Sequence, residues 1–251
     1  MDSLTAIVLA AGKGTRMKSD LPKVVFPVLG RPMIHWVIDA LERAGVNRIL
    51  TVVGYRGELV RETLQSRQGV EFAVQEQQLG TGHAVQMCRE LLRKGSGPVL
   101  IVAGDSPLLQ GESILDLHRA FERGNYECLL GTLIKENPTG LGRIVRDASG
   151  QFQRIVEQKD ATPEQLLIRE VNMSTYLFQR QSLLESLEHL KNHNAQSEYY
   201  LTDCPAWLLQ QGRRVEAVAV LRDCEALSIN TVDELELVES KMKEMGYACG
   251  N

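Results

Sequence analysis

Apolar residues fall in two rhythms along the chain. Short β-branched runs at residues 5–9, 48–53, 70–74, 99–103 and 129–134 alternate with longer stretches in which apolar positions recur every three or four residues, at 33–44, 58–65, 83–92 and 113–123. The first set predicts strands and the second amphipathic helices. "AIVLA" and "VLIVA" are apolar without alternation, so both faces of those strands are expected to be covered. Strands alternating with helices predict a parallel sheet joined by right-handed crossovers. From about Gly142 the texture changes. "GRIVRDASGQFQRIVE" reads as a hairpin turning at Ala148-Ser149-Gly150, and further antiparallel pieces are expected at 168–170 and 175–178. Helices resume at 181–190 and 201–210, the second tolerating Pro205 only near its start. A strand at 215–220 and a helix at 231–245 close the pattern. The fold class expected is α/β: a Rossmann-like, mostly parallel sheet flanked by helices, with a smaller α+β portion.

Composition narrows this little. The chain has 251 residues, 43% of them hydrophobic, enough for a sizeable core in one large domain. Net charge is −4, which gives no footprint for a nucleic-acid surface. Five cysteines (Cys88, Cys128, Cys204, Cys224, Cys249) are dispersed with no CxxC pair, which points to a reducing compartment and away from a disulfide framework or zinc site. The opening "MDSLTAIVLAAG" has no basic leader, and its apolar run is too short to span a membrane. A cytoplasmic protein without membrane partners is expected.

Against that acidic background, "LAAGKGTRMKSDLPKVV" (Leu9 to Val25) stands out, with Gly12, Gly14 and four cations, Lys13, Arg16, Lys18 and Lys23, against one acid, Asp20. A glycine-bearing turn after the first strand of such a sheet lies at the carboxyl edge, where ligands bind. The stretch lacks the GxxxxGK[ST] spacing of a P-loop. It also fails the GxGxxG dinucleotide fingerprint, because Met17 stands at the third glycine position. Backbone N–H groups of residues 12–15 could surround a phosphate or a base edge, and Arg16 and Lys23 add charge suited to a polyanion. A solvated basic turn is the plain alternative.

The same residues resemble the signature of the sugar nucleotidyltransferases, roughly L-A-A-G-x-G-T-R-M-x(4)-P-K, matched by Leu9, Ala10, Ala11, Gly12, Gly14, Thr15, Arg16, Met17, Pro22 and Lys23. Further stretches occur in the family's order: "QEQQLGTGHAV", "GDSPLL", "NPTGLGRIV", "IVEQKDAT", "SEYYLTD" and "SINTVDEL". Together they are similar to the N-acetylglucosamine-1-phosphate uridylyltransferase branch of that family, from about residue 5 to residue 238. The resemblance implies attack by a sugar-1-phosphate oxygen on the α-phosphorus of UTP, with pyrophosphate leaving and Mg²⁺ as cofactor. Such chemistry asks a protein for alignment and charge neutralisation rather than a nucleophile.

Roles follow from the resemblance residue by residue. Leu9, Ala10, Ala11 and Gly12 would meet the base through backbone groups, with Gly14 and Thr15 completing the loop. Arg16 would bind the leaving phosphates and Lys23 the α-phosphate and the incoming sugar phosphate. Gln75, Gln78 and Thr81 would read uracil, amide side chains being able to match its donor and acceptor edge, while Gly80 and Gly82 let the backbone approach the base and Gly104 joins the nucleotide-binding set. His83 is expected to be structural. Asp105 and Asn230 would ligate Mg²⁺, each having helix capping as its plain alternative. Gly142, Glu157 and Asn172 would hold the sugar, with Tyr199 and Thr202 shaping the same side. The nucleotide-binding half is expected over about 1–135 and the sugar-binding portion over about 136–230, within a single domain over 1–246.

Departures from the family pattern are specific. Where relatives read N-[ST]-G, this chain has Asn172-Met173-Ser174, which bears on sugar choice, and Ala103 precedes "GD" where relatives carry Tyr or another residue. After Gly246 only "YACGN" remains. The β-helix acetyltransferase domain of bacterial relatives is therefore not expected in this chain, nor is their trimer; a monomer or weak dimer is. Another sugar-1-phosphate, dTTP in place of UTP, and a silent relative are the alternatives.

Overall fold

The computed structural model describes residues 4–14, 20–229 and 231–249. The first half runs β1 (Thr5–Ala10), a short ribbon of β2 (Pro27–Val28) and β3 (Arg31–Pro32), α1 (Met33–Arg43), β4 (Arg48–Val53), α2 (Gly57–Leu64), β5 (Val70–Val74), α3 (Thr81–Gln86), α4 (Arg89–Arg93), β6 (Val99–Ala103), α5 (Gly111–Gly124) and β7 (Cys128–Ile134). The second half runs β8 (Gly142–Arg146), β9 (Phe152–Val156), α6 (Pro163–Leu166), β10 (Glu170–Phe178), α7 (Arg180–Glu188), α8 (Asp203–Gln210), β11 (Val215–Val218) and α9 (Val232–Glu244).

The main sheet has the order β11-β7-β10-β6-β1-β4-β5, with the β8–β9 hairpin attached to β10. Along that path only β10 runs antiparallel to its neighbours. The mostly parallel, helix-flanked sheet expected from the pattern is the one observed. Two cores explain why β1 and β6 show no alternation. Ala6, Val8 and Ala10 face Ile34, Val37, Val60 and Ile114 from α1, α2 and α5, while Ile7 and Ile101 face Val85, Leu92, Leu183 and Leu208 from α3, α4, α7 and α8. Successive strand residues point to opposite faces, and each face has its own helical layer. A third cluster seats Val238 and Met242 of α9 against Met33 and Trp36 of α1.

Two expectations need correction. Of the antiparallel pieces expected at 168–170 and 175–178, Glu170 and the whole of the second belong to one strand, β10, interrupted by a bulge: Asn172 faces Thr132 and Thr175 faces Gly131, so β10 carries two extra residues there. The helix expected at 83–92 is two, α3 and α4, because the chain tightens at Met87-Cys88, where Cys88 N donates to Val85 O. The β2–β3 ribbon and α6 were not expected. The hairpin turn is where the pattern put it, with Asp147 Oδ1 accepting from Ser149 N and Gln151 N. Pro205 is the third residue of α8 and so lies in its first turn, where no N–H is missed. Among the described residues no helix is long and apolar enough to cross a membrane.

Candidate active site

β1 is the centre of the site because the chain leaves it on one side and returns on the other. It continues outward through β4 and β5, then comes back to β6 at the opposite flank. Leu9 lies opposite Ala103 and Ala10 opposite Val53, so the three strands end at one edge and their loops diverge over a crevice. Backbone hydrogen bonds stitch these loops together. Gly104 N donates to Leu9 O at 2.9 Å and Tyr55 N to Ala11 O at 3.2 Å. The crevice opens into a cleft of about 200 Å³ lined by Leu9, Ala11, Gly12, Gln75, Gln78, Gly80 and Thr81, together with Ala84 and Glu198.

Most of the residues assigned to the nucleotide are thus brought together. Ala10 is the exception among the β1 residues. Its side chain is buried in the opposite core, leaving only its backbone on this side. Gly14 packs over Lys23 in a left-handed conformation (φ +66°). Thr15 and Arg16 lie outside the described residues. Gln75 is buried, and its Nε2 reaches Gly80 O at 3.1 Å and His83 Nδ1 at 3.0 Å, which leaves Oε1 to face a ligand. His83 therefore serves as a support for Gln75, in keeping with the structural role expected of it. Gly80 (φ +110°) sits where a Cβ would come within 2.6 Å of Tyr199 O, so only glycine lets the 78–82 turn lie against the Tyr199 backbone. Thr81 Oγ1 accepts from Leu201 N at 3.1 Å.

Lys23 and Asp105 meet directly. The Lys23 Nζ donates to Asp105 Oδ2 at 2.6 Å, with the lysine side chain 13% and the aspartate side chain 34% exposed. Asp105 sits just past the carboxyl end of β6, beside Gly104. Among the described residues no group of three His, Cys, Asp or Glu side chains is arranged to hold a metal. Mg²⁺ does not need one, since it keeps waters and phosphate oxygens and takes one or two carboxylates from the protein. A single half-exposed, hard carboxylate at the sheet edge fits that requirement. Asn230, the other expected ligand, lies outside the described residues.

The sugar candidates also converge. A Cβ placed on Gly142 would approach Ile155 Cγ2 at 3.0 Å, Asn172 Cβ at 3.4 Å and Glu157 Oε2 at 3.6 Å. Gly142 is therefore packed closely against Ile155, Asn172 and Glu157, with little room for a side chain. β10 runs antiparallel to β6, with Tyr176 opposite Ile101, so the earlier residues of β10 extend beyond the carboxyl end of β6, where Asp105 lies. Thr202 Oγ1 donates to Glu157 Oε1 at 3.2 Å. Burial pushes the Glu157 carboxyl above the usual range despite that bond, and Asp160, Asp203 and Glu198 add to the rise. The Arg143 guanidinium is buried and donates to Leu141 O and, at 2.8 Å, to Gln158 Oε1, tying the segment before Gly142 to the one after Glu157.

Of the two residues expected to shape the sugar side, Thr202 lies beside Glu157. Tyr199 acts through its backbone on the nucleotide side, where its O accepts from Gly82 N at 2.8 Å. Tyr200 takes the place foreseen for Tyr199, since with Glu157, Asp160 and Thr202 it lines a second cavity of about 370 Å³. Glu198 at the cleft and Tyr176 beneath Asn172 were not singled out in the sequence. Glu198 was present in the "SEYYLTD" stretch, but nothing in its spacing says which of two adjacent tyrosines faces which ligand. Tyr176 reads as one more apolar strand residue.

The comparisons agree with this geometry. The family model described as Nucleotidyl transferase matches residues 5–222. The chain is 44% identical over 241 residues to the "Bifunctional protein GlmU" of Pelobacter propionicus, covering 96% of this chain and 52% of that one. It is 42% identical over 226 residues to the protein of the same name from Clostridium acetobutylicum, covering 90% and 49%. It thus spans about half the length of these relatives. A solved UDP-glucose pyrophosphorylase complexed with UDP-glucose shares the fold, with a TM-score of 0.77 at 17% identity over 97% of this chain and 99% of that one. With its glycine-lined crevice at the β1 switch point and a family match over most of its length, the chain belongs to the nucleotidyl transferase family.

Proposed function

We propose that this chain transfers UMP from UTP to N-acetylglucosamine-1-phosphate, giving UDP-N-acetylglucosamine and pyrophosphate. The observation that carries the reading is the Lys23–Asp105 pair at the sheet edge that also bears the Gln75 cleft, with Gly142, Glu157 and Asn172 packed together beyond that edge. The 42–44% identity to proteins named GlmU supports the choice of branch.

Uracil would lie in the cleft against the β1 loop, its edge read by Gln75 Oε1 and Gln78. Lys23 would turn from Asp105 to the α-phosphate and the sugar phosphate, neutralising charge as it moves toward the leaving group. Arg16 would hold the β- and γ-phosphates. Glu157 and Asn172 would orient the sugar so that its phosphate oxygen attacks in line. Asp105, with Asn230, would hold Mg²⁺, which supplies Lewis acidity and a template when bound.

A second reading keeps the site and changes the substrate to another sugar-1-phosphate or to dTTP. Ser174, standing where relatives carry glycine, is the residue that favours keeping it in view. Pyrophosphate release measured over a matrix of nucleoside triphosphates and sugar-1-phosphates with Mg²⁺ tests both. Turnover is expected to be fastest with UTP and N-acetylglucosamine-1-phosphate; turnover only with another pair selects the second reading, and none with any pair leaves a silent relative. Asp105→Ala is expected to lower the rate by at least about a hundredfold. Lys23 is mostly buried, so removal of its partner also costs stability, and a Tm that stays well above the assay temperature shows that the loss reports on the site. A rate near that of the wild type sinks the assignment of Asp105.

A further inference from the structure

The Tyr176 side chain reaches beneath Asn172, one of the sugar candidates, without belonging to them. It is 1% exposed, in a core cluster with Phe178, Ile144 and Ile155, where a phenylalanine would fill the same space. A buried hydroxyl needs a partner. One partner is Asn172, whose Nδ2 donates to the Tyr176 hydroxyl at 2.7 Å, and the Ser174 side chain is another. Residues four apart on a regular strand lie roughly 13 Å apart and cannot touch. The two extra residues of the β10 bulge bring them together.

The other end of the Asn172 amide is also held. Ser174 N, which can only donate, meets Asn172 Oδ1 at 3.3 Å. Ser174 does this from a left-handed backbone (φ +53°). Turning the amide over would set its NH₂ against the Ser174 N–H. The Ser174 N–H therefore defines which end of the amide is oxygen, and the shorter contact, to a Tyr176 hydroxyl that can donate or accept, holds the nitrogen end in place. One N–H and one lone pair of Asn172 remain beyond these two contacts.

We infer that Tyr176 is a positioning residue for sugar selection, its buried hydroxyl fixing the orientation of the Asn172 amide that faces the sugar phosphate. The inference rests on the reading of Asn172 as a sugar contact. The phenol stays protonated in this role, since burial first and the nearby Glu157 second push it well above its ordinary value.

Tyr176→Phe removes one oxygen from the core and tests the idea. Loss of one buried hydrogen bond is expected to raise the KM for N-acetylglucosamine-1-phosphate about tenfold and to leave the KM for UTP within about twofold. In an Asn172→Ala background the same change is expected to add less than about twofold, because a residue acting only through Asn172 has nothing further to lose. An unchanged sugar-phosphate KM, equal rises for both substrates, or full additivity in the double variant each overturns the proposal. If the wild type accepts a different sugar phosphate, the proposed substrate fails, and the same cycle run with the accepted one still judges Tyr176. In a silent chain, calorimetric titration with N-acetylglucosamine-1-phosphate replaces KM. Should Tyr176→Phe not fold, the wild type supplies the test. The Asn172 side-chain NH₂ is expected to exchange slowly with solvent by NMR, and exchange as fast as in exposed asparagines overturns the proposal.

Discussion

The Glu157 carboxyl accepts from Thr202 Oγ1, yet burial and its acidic neighbours hold its proton more tightly than in an unfolded chain. The sign of the stability effect follows. Below the ordinary value near 4.5 the group is protonated in both states; as pH rises through the higher folded value, ionisation destabilises the fold. Glu157→Gln is therefore expected to raise the Tm at neutral pH, with the gain vanishing as the pH is lowered below about 4.5. Thermal unfolding of both proteins across pH checks this, and a gain that grows toward acid refutes the assignment. Residues of this kind were legible in part. Gln75, Asp105, Glu157 and Asn172 stand in stretches whose order marks the family. Tyr176 and Glu198 were not, because their roles depend on a bulge and on which side of a turn faces inward, and neither leaves a period in the sequence.

Elements show a similar division. β1, β4 and β6 end within a residue of where their apolar runs end, since continuous burial on both faces writes itself directly into composition. β10 was read as two pieces because Asn172-Met173-Ser174 breaks the apolar run at the site the bulge serves. α5 has a cap no local pattern predicts. Its N-cap, Gln110, makes no side-chain cap. Instead Glu225 accepts from Gln110 N at 3.1 Å, from Ser113 Oγ at 2.5 Å and from Arg222 N at 2.8 Å. A carboxylate at a helix N-terminus satisfies orphan donors and meets the positive end of the dipole. Glu225→Ala is expected to cost about 1–2 kcal/mol, read as a lower urea midpoint with an unchanged slope. A midpoint equal to the wild type means the α5 terminus is satisfied without it.

Across the whole molecule, one arginine ties the sugar-side hairpin to the main sheet. Arg146 of β8 donates to both carboxylate oxygens of Glu170 on β10, at 2.8 and 2.9 Å, and to Glu216 Oε1 and Ala217 O on β11, at 2.9 and 2.6 Å. Arg146→Met leaves two half-buried acids without their cation. A loss of roughly 2–4 kcal/mol is expected, with amide exchange rising first in β8 and β9. Exchange that rises uniformly over the sheet instead means the hairpin is held by its packing alone.

The sheet order also dictates a sequence of assembly. β6 and β7 follow one another along the chain but are not neighbours, because β10 lies between them. Until residue 178 is available, β6 presents an open edge, and β7 has no partner on that side. Such an edge invites wrong pairing during synthesis, and pairing across so long a separation in sequence is slow. β10 is the keystone that closes the sheet, and it is also the strand that carries Asn172 and Tyr176. The packing of Gly142, Glu157 and Asn172 therefore forms in the same event that protects the nascent chain from misassembly, so a substitution that disturbs the bulge acts on the yield of folded protein.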